Sequence, residues 1–476
     1  MNQLKLILIG LLGLWISGGV ANGKIINCYY GTWANYRPDD GKFDPSNIDP
    51  SLCTHLSYSF FGITPAGEFK VLDEWLDLDS GLGFISKTMD LKRLNPNLKV
   101  IAVVGGWNEG SEKYSQMAAD VNKRSLFIKS ALNFIKQHGF DGLDLDWEYP
   151  AQRGGSIEDK VNFVKLLKEL KEALKALNLE LGIAVGASKK TATISYDIRN
   201  IAEQVDFINV MTYDFATAGD GVVGFNSPLK GQQDRNVQSA INYWLEQGAP
   251  ASKLVLGLAF YGRSFELSDP QQKSVGSPIR GPGTAGPYTR QAGFMGYNEI
   301  CSLEKKWSSE WAPDYGVPFI YNSNQWIGYD NVQSLDLKVK LANSLDLAGV
   351  MIWSIETDDF RGNCGVKYPL LKAVNDNMGN HQTEGDVGES GGAGSNNSNS
   401  SNEEVEIPPS SEQNSSNQSE ESGDCSNDGF FVNANDCSRY YQCVNGVRHD
   451  FQCNSGLYFD TVSNTCNWPN LVSCNH

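Results

Sequence analysis

Eight short β-rich runs recur along most of this chain and limit the folds that it can adopt. They cover residues 24–30, 55–61, 99–105, 142–148, 179–185, 207–213, 254–261 and 349–353. Helical patterns lie between many of them, because apolar residues recur every three or four positions at 161–177, 238–244 and 332–345. Eight strands that alternate with helices predict an α/β fold, a (β/α)8 TIM barrel. A doubly wound open sheet is the alternative, but no glycine fingerprint follows a strand.

The N-terminal residues have the order of a secretory signal peptide. Lys5 precedes an apolar run from Leu6 to Ile16, and small residues follow, so we assign residues 1–21 to the signal. The alternative is a retained membrane anchor, but a bilayer span needs about 20 apolar residues and this run is shorter. We therefore expect a secreted, extracellular protein that does not act on a membrane.

The barrel is predicted over residues 24–378, with one unusually long connection. The stretch from Tyr261 to Gly349 is far longer than one helix and its loops. It predicts an α+β insertion domain at about 266–335.

A linker is predicted at residues 379–424. From 380 to 424 the chain has ten acidic residues and neither Lys nor Arg, and this stretch carries −10 of the net charge of −17. With no aromatic residue and no Leu, it cannot bury enough surface to offset its ordering entropy, so we expect a disordered tether. Asn396, Asn399, Asn414 and Asn417 begin N-x-S sequons, which are candidate glycosylation sites, although a Ser/Asn-rich tract also makes sequons by chance.

Composition also bears on function. A net charge of −17 excludes a basic nucleic-acid-binding face. The five histidines contain no pair at metal-ligand spacing, so a His-rich zinc hydrolase is disfavoured. We expect no metal and no cofactor.

Three carboxylates share one face of the fourth run. Side chains alternate along a strand, so Asp144, Asp146 and Glu148 point inward in a barrel, while the residues between them pack under the helices. Neighbouring acids push one another's pKa values apart. Glu148, nearest the carboxyl end of the strand, is then a natural general acid. A calcium loop or a solvated edge strand is the alternative, but large apolar residues interleave with the acids.

Seven segments of the chain carry recognisable motifs. Residues 141–150 read DGLDLDWEYP, and the other segments are 99–108 (KVIAVVGGWN), 211–214 (MTYD), 260–265 (FYGRSF), 324–330 (NQWIGYD), 349–353 (GVMIW) and 358–360 (DDF). Together they resemble glycoside hydrolase family 18, the chitinases, most closely the secreted chitinases of insects and other arthropods, and 141–150 is like the active-site signature of that family. The likeness runs from about Cys28 to Cys364.

The resemblance implies a retaining, substrate-assisted cleavage of chitin. Glu148 would be the acid and base, Asp146 would orient the substrate acetamido group, and Asp144 would support Asp146. Tyr213 would hydrogen-bond the acetamido oxygen, and Asp214 would bind sugar near the cleavage point. The expected partners are chitin and chitin oligosaccharides, acted on by a monomer.

Sugar rings present flat C–H faces, which aromatic side chains cover at little entropic cost. The chain is rich in such rings, with 11 Trp, 19 Tyr and 21 Phe. The candidate sugar-binding residues are Tyr30, Tyr58, Phe60, Trp107, Met211, Arg263, Trp326 and Trp353. Ordinary core packing is the competing interpretation, above all for Tyr30, Tyr58 and Phe60.

The last 52 residues contain six cysteines, which indicate a small disulfide scaffold. Spacing alone leaves 15 connectivities open, and a zinc knuckle is the alternative. The segment 425–476 resembles a peritrophin-type chitin-binding module, with Tyr441, Tyr458, Phe459 and Trp468 as candidate sugar-facing residues. The two resemblances imply the pairs Cys28–Cys53, Cys301–Cys364, Cys425–Cys443, Cys437–Cys474 and Cys453–Cys466.

Two other functions share these features. A catalytically silent lectin of the same fold normally lacks the acid found at Glu148, and an endo-β-N-acetylglucosaminidase acting on N-glycans would not need a chitin module. The segment 215–220 departs from the family, which often has a Trp-bearing loop there.

Overall fold

The structure is a computed structural model. It describes residues 23–379 and, farther along, 425, 429–433, 436–444, 447–453, 458–461, 465–467, 469 and 472. The predicted signal peptide, nearly all of the predicted linker and the four sequons lie outside the described residues. The chain divides into two compact units, residues 1–382 and 383–476, and each is described by itself.

The described part of the first unit forms fifteen strands. They are β1 (Ile25–Gly31), β2 (His55–Ile63), β3 (Phe69–Val71), β4 (Lys99–Gly105), β5 (Gly142–Asp146), β6 (Glu180–Gly186), β7 (Phe207–Met211), β8 (Leu254–Ala259), β9 (Tyr261–Leu267), β10 (Ile279–Pro282), β11 (Phe294–Gly296), β12 (Ser308–Ala312), β13 (Val317–Asn322), β14 (Gln325–Gly328) and β15 (Gly349–Trp353). The eight runs predicted from sequence correspond to β1, β2, β4–β8 and β15.

Eight of these strands close into a parallel barrel. The order is β1, β2, β4, β5, β6, β7, β8 and β15, and β15 pairs in turn with β1. Ile25 aligns with Gly349 at that last junction, while Asn27 aligns with His55 on the other side. The predicted TIM barrel is therefore confirmed. Because all strands run in one direction, their carboxyl ends share one rim, where barrel enzymes carry their sites.

The described part of the first unit also has α-helices, most of which pack around the barrel. They are α1 (Glu74–Asp77), α2 (Phe84–Asp90), α3 (Glu112–Ala119), α4 (Val121–His138), α5 (Asp159–Lys175), α6 (Lys189–Ser195), α7 (Ile198–Gln204), α8 (Val237–Glu246), α9 (Tyr297–Glu304), α10 (Val332–Ser344) and α11 (Pro369–Met378). In α4 the Asp120 carboxylate accepts from two amides of the first turn, and Gly139 ends the helix at φ +77°. Phe127, Ala131 and Ile135 form its buried face.

The insertion interrupts the barrel between β8 and β15. Strands β9–β14 form a second, antiparallel sheet in the order β10, β9, β14, β13 and β12, with β11 also paired to β9. Together with α9, this sheet makes the predicted α+β insertion.

A buried ion pair lies after the insertion sheet. The Lys338 ammonium on α10 donates to both oxygens of Asp330, at 2.6 and 2.7 Å, and to the Ser227 hydroxyl at 2.7 Å. Ser334 donates to the same carboxylate at 2.7 Å. Both charged side chains are almost fully buried, so each charge depends on these partners.

Disulfides join the elements at two places in the first unit. Cys28 of β1 is bonded to Cys53, and Cys301 of α9 is bonded to Cys364, as predicted. Across the part of the chain that the structure covers, every helix is too short or too polar to qualify as a membrane span.

The second unit is a small β structure. Its strands are β16 (Gly429–Asn433), β17 (Asp436–Val444), β18 (Val447–Gln452), β19 (Tyr458–Asp460) and β20 (Thr465–Asn467), arranged as a three-stranded and a two-stranded antiparallel sheet. The predicted bonds Cys425–Cys443 and Cys453–Cys466 are present. Cys474, the predicted partner of Cys437, lies outside the described residues.

Candidate active site

The carboxylate row stands at the carboxyl end of β5. Asp144 and Asp146 are buried strand residues, and Glu148, two positions beyond, is partly exposed at the rim. Leu145 and Trp147, on the opposite face, are buried in the hydrophobic core. The alternation expected for a barrel strand therefore exists, with acids inward and apolar residues outward.

Asp144 is the deepest of the three acids. Its Oδ2 accepts from the Tyr29 hydroxyl at 2.5 Å and from the Asn209 amide at 2.7 Å. Burial raises the pKa of Asp144 to about 7, although both hydrogen bonds act in the opposite direction.

Polar side chains beneath Asp144 complete a network that sequence reasoning missed. Asn209 receives a hydrogen bond from Asn27 at 3.2 Å, and Asn27 in turn accepts from the Ser57 hydroxyl at 2.8 Å. All three side chains are fully buried. The available signal was the unexpected presence of Asn27, Ser57 and Asn209 within otherwise apolar strand runs, since buried polar groups need partners.

Asp146 shares one feature with Asp144, because within the described part of the chain no group donates to the Oδ1 atom of either residue. Asp146 is only 3% exposed. Burial raises the pKa of Asp146 well above its usual value, and the charges of Glu148 and Asp144 raise it further. A buried carboxyl oxygen without a donor is suited to accept a hydrogen bond from a bound molecule.

Glu148 has the electrostatics of a general acid. Burial raises its pKa to about 7, and the Asp214 carboxylate also raises it, whereas Tyr149 and the Arg153 guanidinium lower it. A carboxyl group with a pKa near neutrality carries a proton that it can donate and later recover.

Asp214 and Arg263 form an ion pair beside the row. Arg263 Nε lies 2.7 Å from Asp214 Oδ1, and the Tyr261 hydroxyl donates to the same oxygen at 2.7 Å. The neighbouring Tyr213 hydroxyl lies 3.6 Å from Met351 Sδ, and burial raises the pKa of Tyr213 well above its usual value, so it remains a donor. The structure thus brings Tyr213, Asp214 and Arg263 together.

A cluster of rings lies at the neighbouring strand ends. Trp353, at the end of β15, stacks with Phe60 at 5.8 Å between ring centroids and meets Tyr29 edge-on at 5.7 Å. Trp33, which sequence reasoning missed, is stacked with Phe60 at 5.9 Å and is 40% exposed. Trp33 lies on a short 3₁₀ turn just after β1, and such a turn has no periodic pattern that would mark the residue in the sequence.

Two other predicted sugar contacts remain at the rim. Trp107, just after β4, is 57% exposed and lies against Arg153. Met211 ends β7 and is half-buried. Both positions are open to a ligand, and both stay predictions.

Three predicted sugar contacts are wrong. Trp326 is 0% exposed and packs in the core of the insertion against Phe225, Phe265 and Phe319. Tyr30 and Tyr58 are also fully buried, and the Tyr58 hydroxyl donates to Asp77. Their rings fill the core, so none of the three presents a face to a sugar.

The candidate sugar-facing residues of the chitin-binding segment 425–476 also include both buried and partly exposed side chains. Phe459 is buried and stacks on Tyr440 at 4.0 Å, so its prediction as a surface residue is wrong. Tyr441 and Tyr458 are partly exposed, and Arg448 covers the ring of Tyr441 at 3.8 Å. Trp468 lies outside the described residues.

One group of described residues has the proximity of metal ligands. It consists of Cys301, Asp359 and Cys364. The two cysteines are bonded to each other and offer no thiolate, while Asp359 accepts backbone amides from residues 362–364. These contacts explain the cluster without an ion.

A TIM barrel with inward carboxyls at its rim, beside exposed aromatic rings, is an arrangement typical of a glycoside hydrolase. Residues 25–358 match Glycosyl hydrolases family 18, and residues 425–474 match the Chitin binding Peritrophin-A domain. The chain therefore belongs to family 18, as a chitinase domain followed by a chitin-binding domain.

Known proteins resemble the chain over most of its length. It is 42% identical to Probable chitinase 2 of Drosophila melanogaster over 76% of this chain and 83% of that protein. It is 33% identical to the Endochitinase of Manduca sexta, over 93% of this chain and 94% of that protein. The Ostrinia furnacalis Group IV chitinase structure has a TM-score of 0.73 and 45% identity, and covers 75% of this chain and 100% of that one.

Proposed function

We propose that this protein is a secreted endochitinase that hydrolyses β-1,4 linkages between N-acetylglucosamine units of chitin. The observation that carries the proposal is the row Asp144, Asp146 and Glu148, with its raised pKa values, beside the exposed face of an aromatic cluster. The relative from Manduca sexta is named an endochitinase, and an Ostrinia furnacalis relative has been solved in complex with allosamidin.

In the first step, the protonated Glu148 donates its proton to the glycosidic oxygen. The bond from that oxygen to the anomeric carbon breaks, and the substrate's own acetamido oxygen attacks the anomeric carbon to form an oxazolinium ion. Asp146 accepts a hydrogen bond from the acetamido N–H and stabilises the positive charge of the oxazolinium ion, while the Tyr213 hydroxyl donates a hydrogen bond to the acetamido oxygen. Asp144 keeps Asp146 in place from below.

In the second step, the Glu148 carboxylate takes a proton from water. The resulting hydroxide attacks the anomeric carbon, and the oxazolinium ring opens to give back the acetamido group. Two inversions retain the anomeric configuration, and Glu148 is protonated again for the next cycle. Trp353 would support the reacting sugar, and Asp214 with Arg263 would bind sugar at the cleavage point.

Replacing the acid tests this assignment. Glu148→Gln keeps the shape but cannot donate the proton, so kcat on chitohexaose should fall by about 10³-fold. Affinity for the oligosaccharide, measured by tryptophan fluorescence, should stay within about threefold. Glu172→Gln, an exposed site on α5, is the matched control. Turnover by Glu148→Gln close to the wild-type value would overturn the assignment.

Two alternatives use the same site. The YKL-39 structure, 37% identical over 75% of this chain, is described as a pseudo-chitinase with retained chitooligosaccharide binding. A silent lectin of that kind would bind chitohexaose without cleaving it, and an endo-β-N-acetylglucosaminidase would prefer N-glycans. One assay that compares cleavage of chitin oligomers and N-glycans separates all three.

We also propose that the C-terminal domain anchors the enzyme on solid chitin through the tether at 379–424. A tethered binding domain raises the local concentration of the catalytic domain at the polymer surface. Deleting residues 425–476 should lower the rate on solid chitin by about tenfold or more while leaving chitohexaose turnover unchanged. Equal losses on both substrates would contradict the anchoring role.

A further inference from the structure

One exposed ring at the rim is held differently from the others. Trp107 has no aromatic neighbour among the described ring contacts, whereas Trp33, Phe60 and Trp353 support one another. Its only described ring partner is the guanidinium of Arg153, whose central carbon lies 3.5 Å from the ring centroid. Arginine stacks well on indole because its cation is planar and weakly hydrated.

The same guanidinium also binds two backbone carbonyls. Nη1 of Arg153 donates to the Trp107 carbonyl at 2.9 Å and to the Glu148 carbonyl at 2.8 Å. Arg153 thereby ties the segment after β4, which carries the exposed ring, to the segment after β5, which carries the proposed acid. The two N–H groups of this one nitrogen serve the two carbonyls while the guanidinium plane lies on the indole, and a lysine ammonium has no plane to stack there.

The loop that presents Arg153 is itself fixed. Arg153 has φ +53° and Ala151 has φ +62°, a left-handed backbone that favours glycine. The buried carboxylate of Asp159 accepts from the amides of Ala151 and Ser156, at 3.2 and 2.8 Å. The loop is therefore built around an internal acceptor, and Arg153 leaves it from a defined position.

We propose that Arg153 is a positioning residue that backs one face of Trp107, so that the other face meets a sugar flanking the cleavage point. The inference rests on the proposed function. With one face covered and the ring still 57% exposed, Trp107 offers a single sugar-binding surface next to Glu148. Segment 215–220 offers Phe215 as its only large ring, and that ring is buried, so Trp107 carries more of the flanking contact.

Arg153 also contributes to the charge around Glu148. The pKa of Glu148 is affected by Tyr149, Asp214 and Arg153, and Glu148 in turn raises the pKa values of Asp146, Tyr196 and Tyr213. Arg153 lowers the pKa of Glu148. Removing the guanidinium should therefore move the alkaline limb of the kcat/KM profile to higher pH, a change that a merely structural role would not produce.

The test compares Arg153→Met, Arg153→Lys and the exposed control Arg93→Met on chitohexaose. Arg153→Met should raise KM by about three- to fivefold, and its alkaline limb should move up by about a few tenths of a pH unit. Arg153→Lys keeps the charge but loses the planar group that lies on Trp107, so KM should rise while the limb stays in place. The melting temperature should stay at the wild-type value, because Arg153 is exposed.

Each outcome decides one part of the proposal. An unchanged KM in Arg153→Met, or an equal rise in Arg93→Met, overturns the positioning role. An unmoved alkaline limb in Arg153→Met overturns the influence on Glu148. Adding Arg153→Met to Glu148→Gln and titrating chitohexaose by fluorescence measures affinity without turnover, so a failure of the proposed acid remains distinguishable from a failure of the arginine.

Discussion

Two buried charged sites in the same barrel unit are built in opposite ways. The Lys338–Asp330 pair is closed, because both carboxylate oxygens receive the ammonium and Ser227 and Ser334 add further hydrogen bonds. The carboxylate row is open, because neither Asp144 Oδ1 nor Asp146 Oδ1 receives a donor from the described residues. The closed site sustains the fold, and the open one keeps hydrogen-bonding capacity for a ligand.

The largest effect expected from this comparison concerns Asp146. Asp146→Asn removes a carboxyl group whose Oδ1 receives no donor from the described residues and which should become charged to stabilise the reacting sugar, so kcat on chitohexaose should fall by about 10²-fold or more. The free energy of unfolding should stay unchanged or rise, since a neutral amide is less costly to bury. Urea denaturation alongside kinetics measures both, with the exposed Asp234→Asn as control. If Asp146→Asn lost stability but kept normal turnover, the proposed difference between the two sites would be wrong.

The second effect is the reverse at the closed site. Lys338→Met leaves Asp330 buried without its cation, which should cost about 3–5 kcal/mol of stability. Enzyme that remains folded should keep its kcat. The double variant Lys338→Met/Asp330→Leu should recover most of the loss, because an apolar pair needs no compensation. A double variant no more stable than the single one would show that packing, and not the orphaned charge, caused the loss.

The smallest effect is a pH dependence of stability. The folded pKa values of Asp144 and Glu148, both about 7, exceed their ordinary values of 3.8 and 4.5. Between about pH 4.5 and 7 the unfolded chain has released these protons while the folded chain retains them, so stability falls as pH rises. Melting temperatures across that window should decline less steeply in Glu148→Gln than in the wild type. Identical slopes would mean that Glu148 does not retain its proton in the folded chain.

The sequence predicted the barrel and the row because both depend on short-range periodicity. Alternation along β5 decides which way Asp144, Asp146 and Glu148 point, and the apolar runs mark the strands. Burial of a single ring depends on distant segments instead. Trp326 is covered by residues from three other stretches of chain, so its motif alone did not reveal that it is core.

The residues that sequence reasoning missed have the same explanation. Trp33 and Arg153 lie in irregular segments with no periodic signal, and each gains its role from a neighbour far along the chain. Tyr29 and Asn209 meet at Asp144 only because β1, β5 and β7 surround one interior. Contacts between strands that are distant in sequence depend on closure of the barrel, so they cannot be predicted from local sequence patterns.

The closure of the ring also sets an order of events during synthesis. Strand β1, which begins at Ile25, pairs on one side with β15, which begins at Gly349, so the barrel closes only when β15 is present. Trp353, the last residue of β15, lies against Tyr29 of β1. A nascent chain therefore carries its acids long before it carries the final aromatic platform beside them. Contacts so distant in sequence form slowly, so the site should become competent only after nearly the whole first unit has left the ribosome.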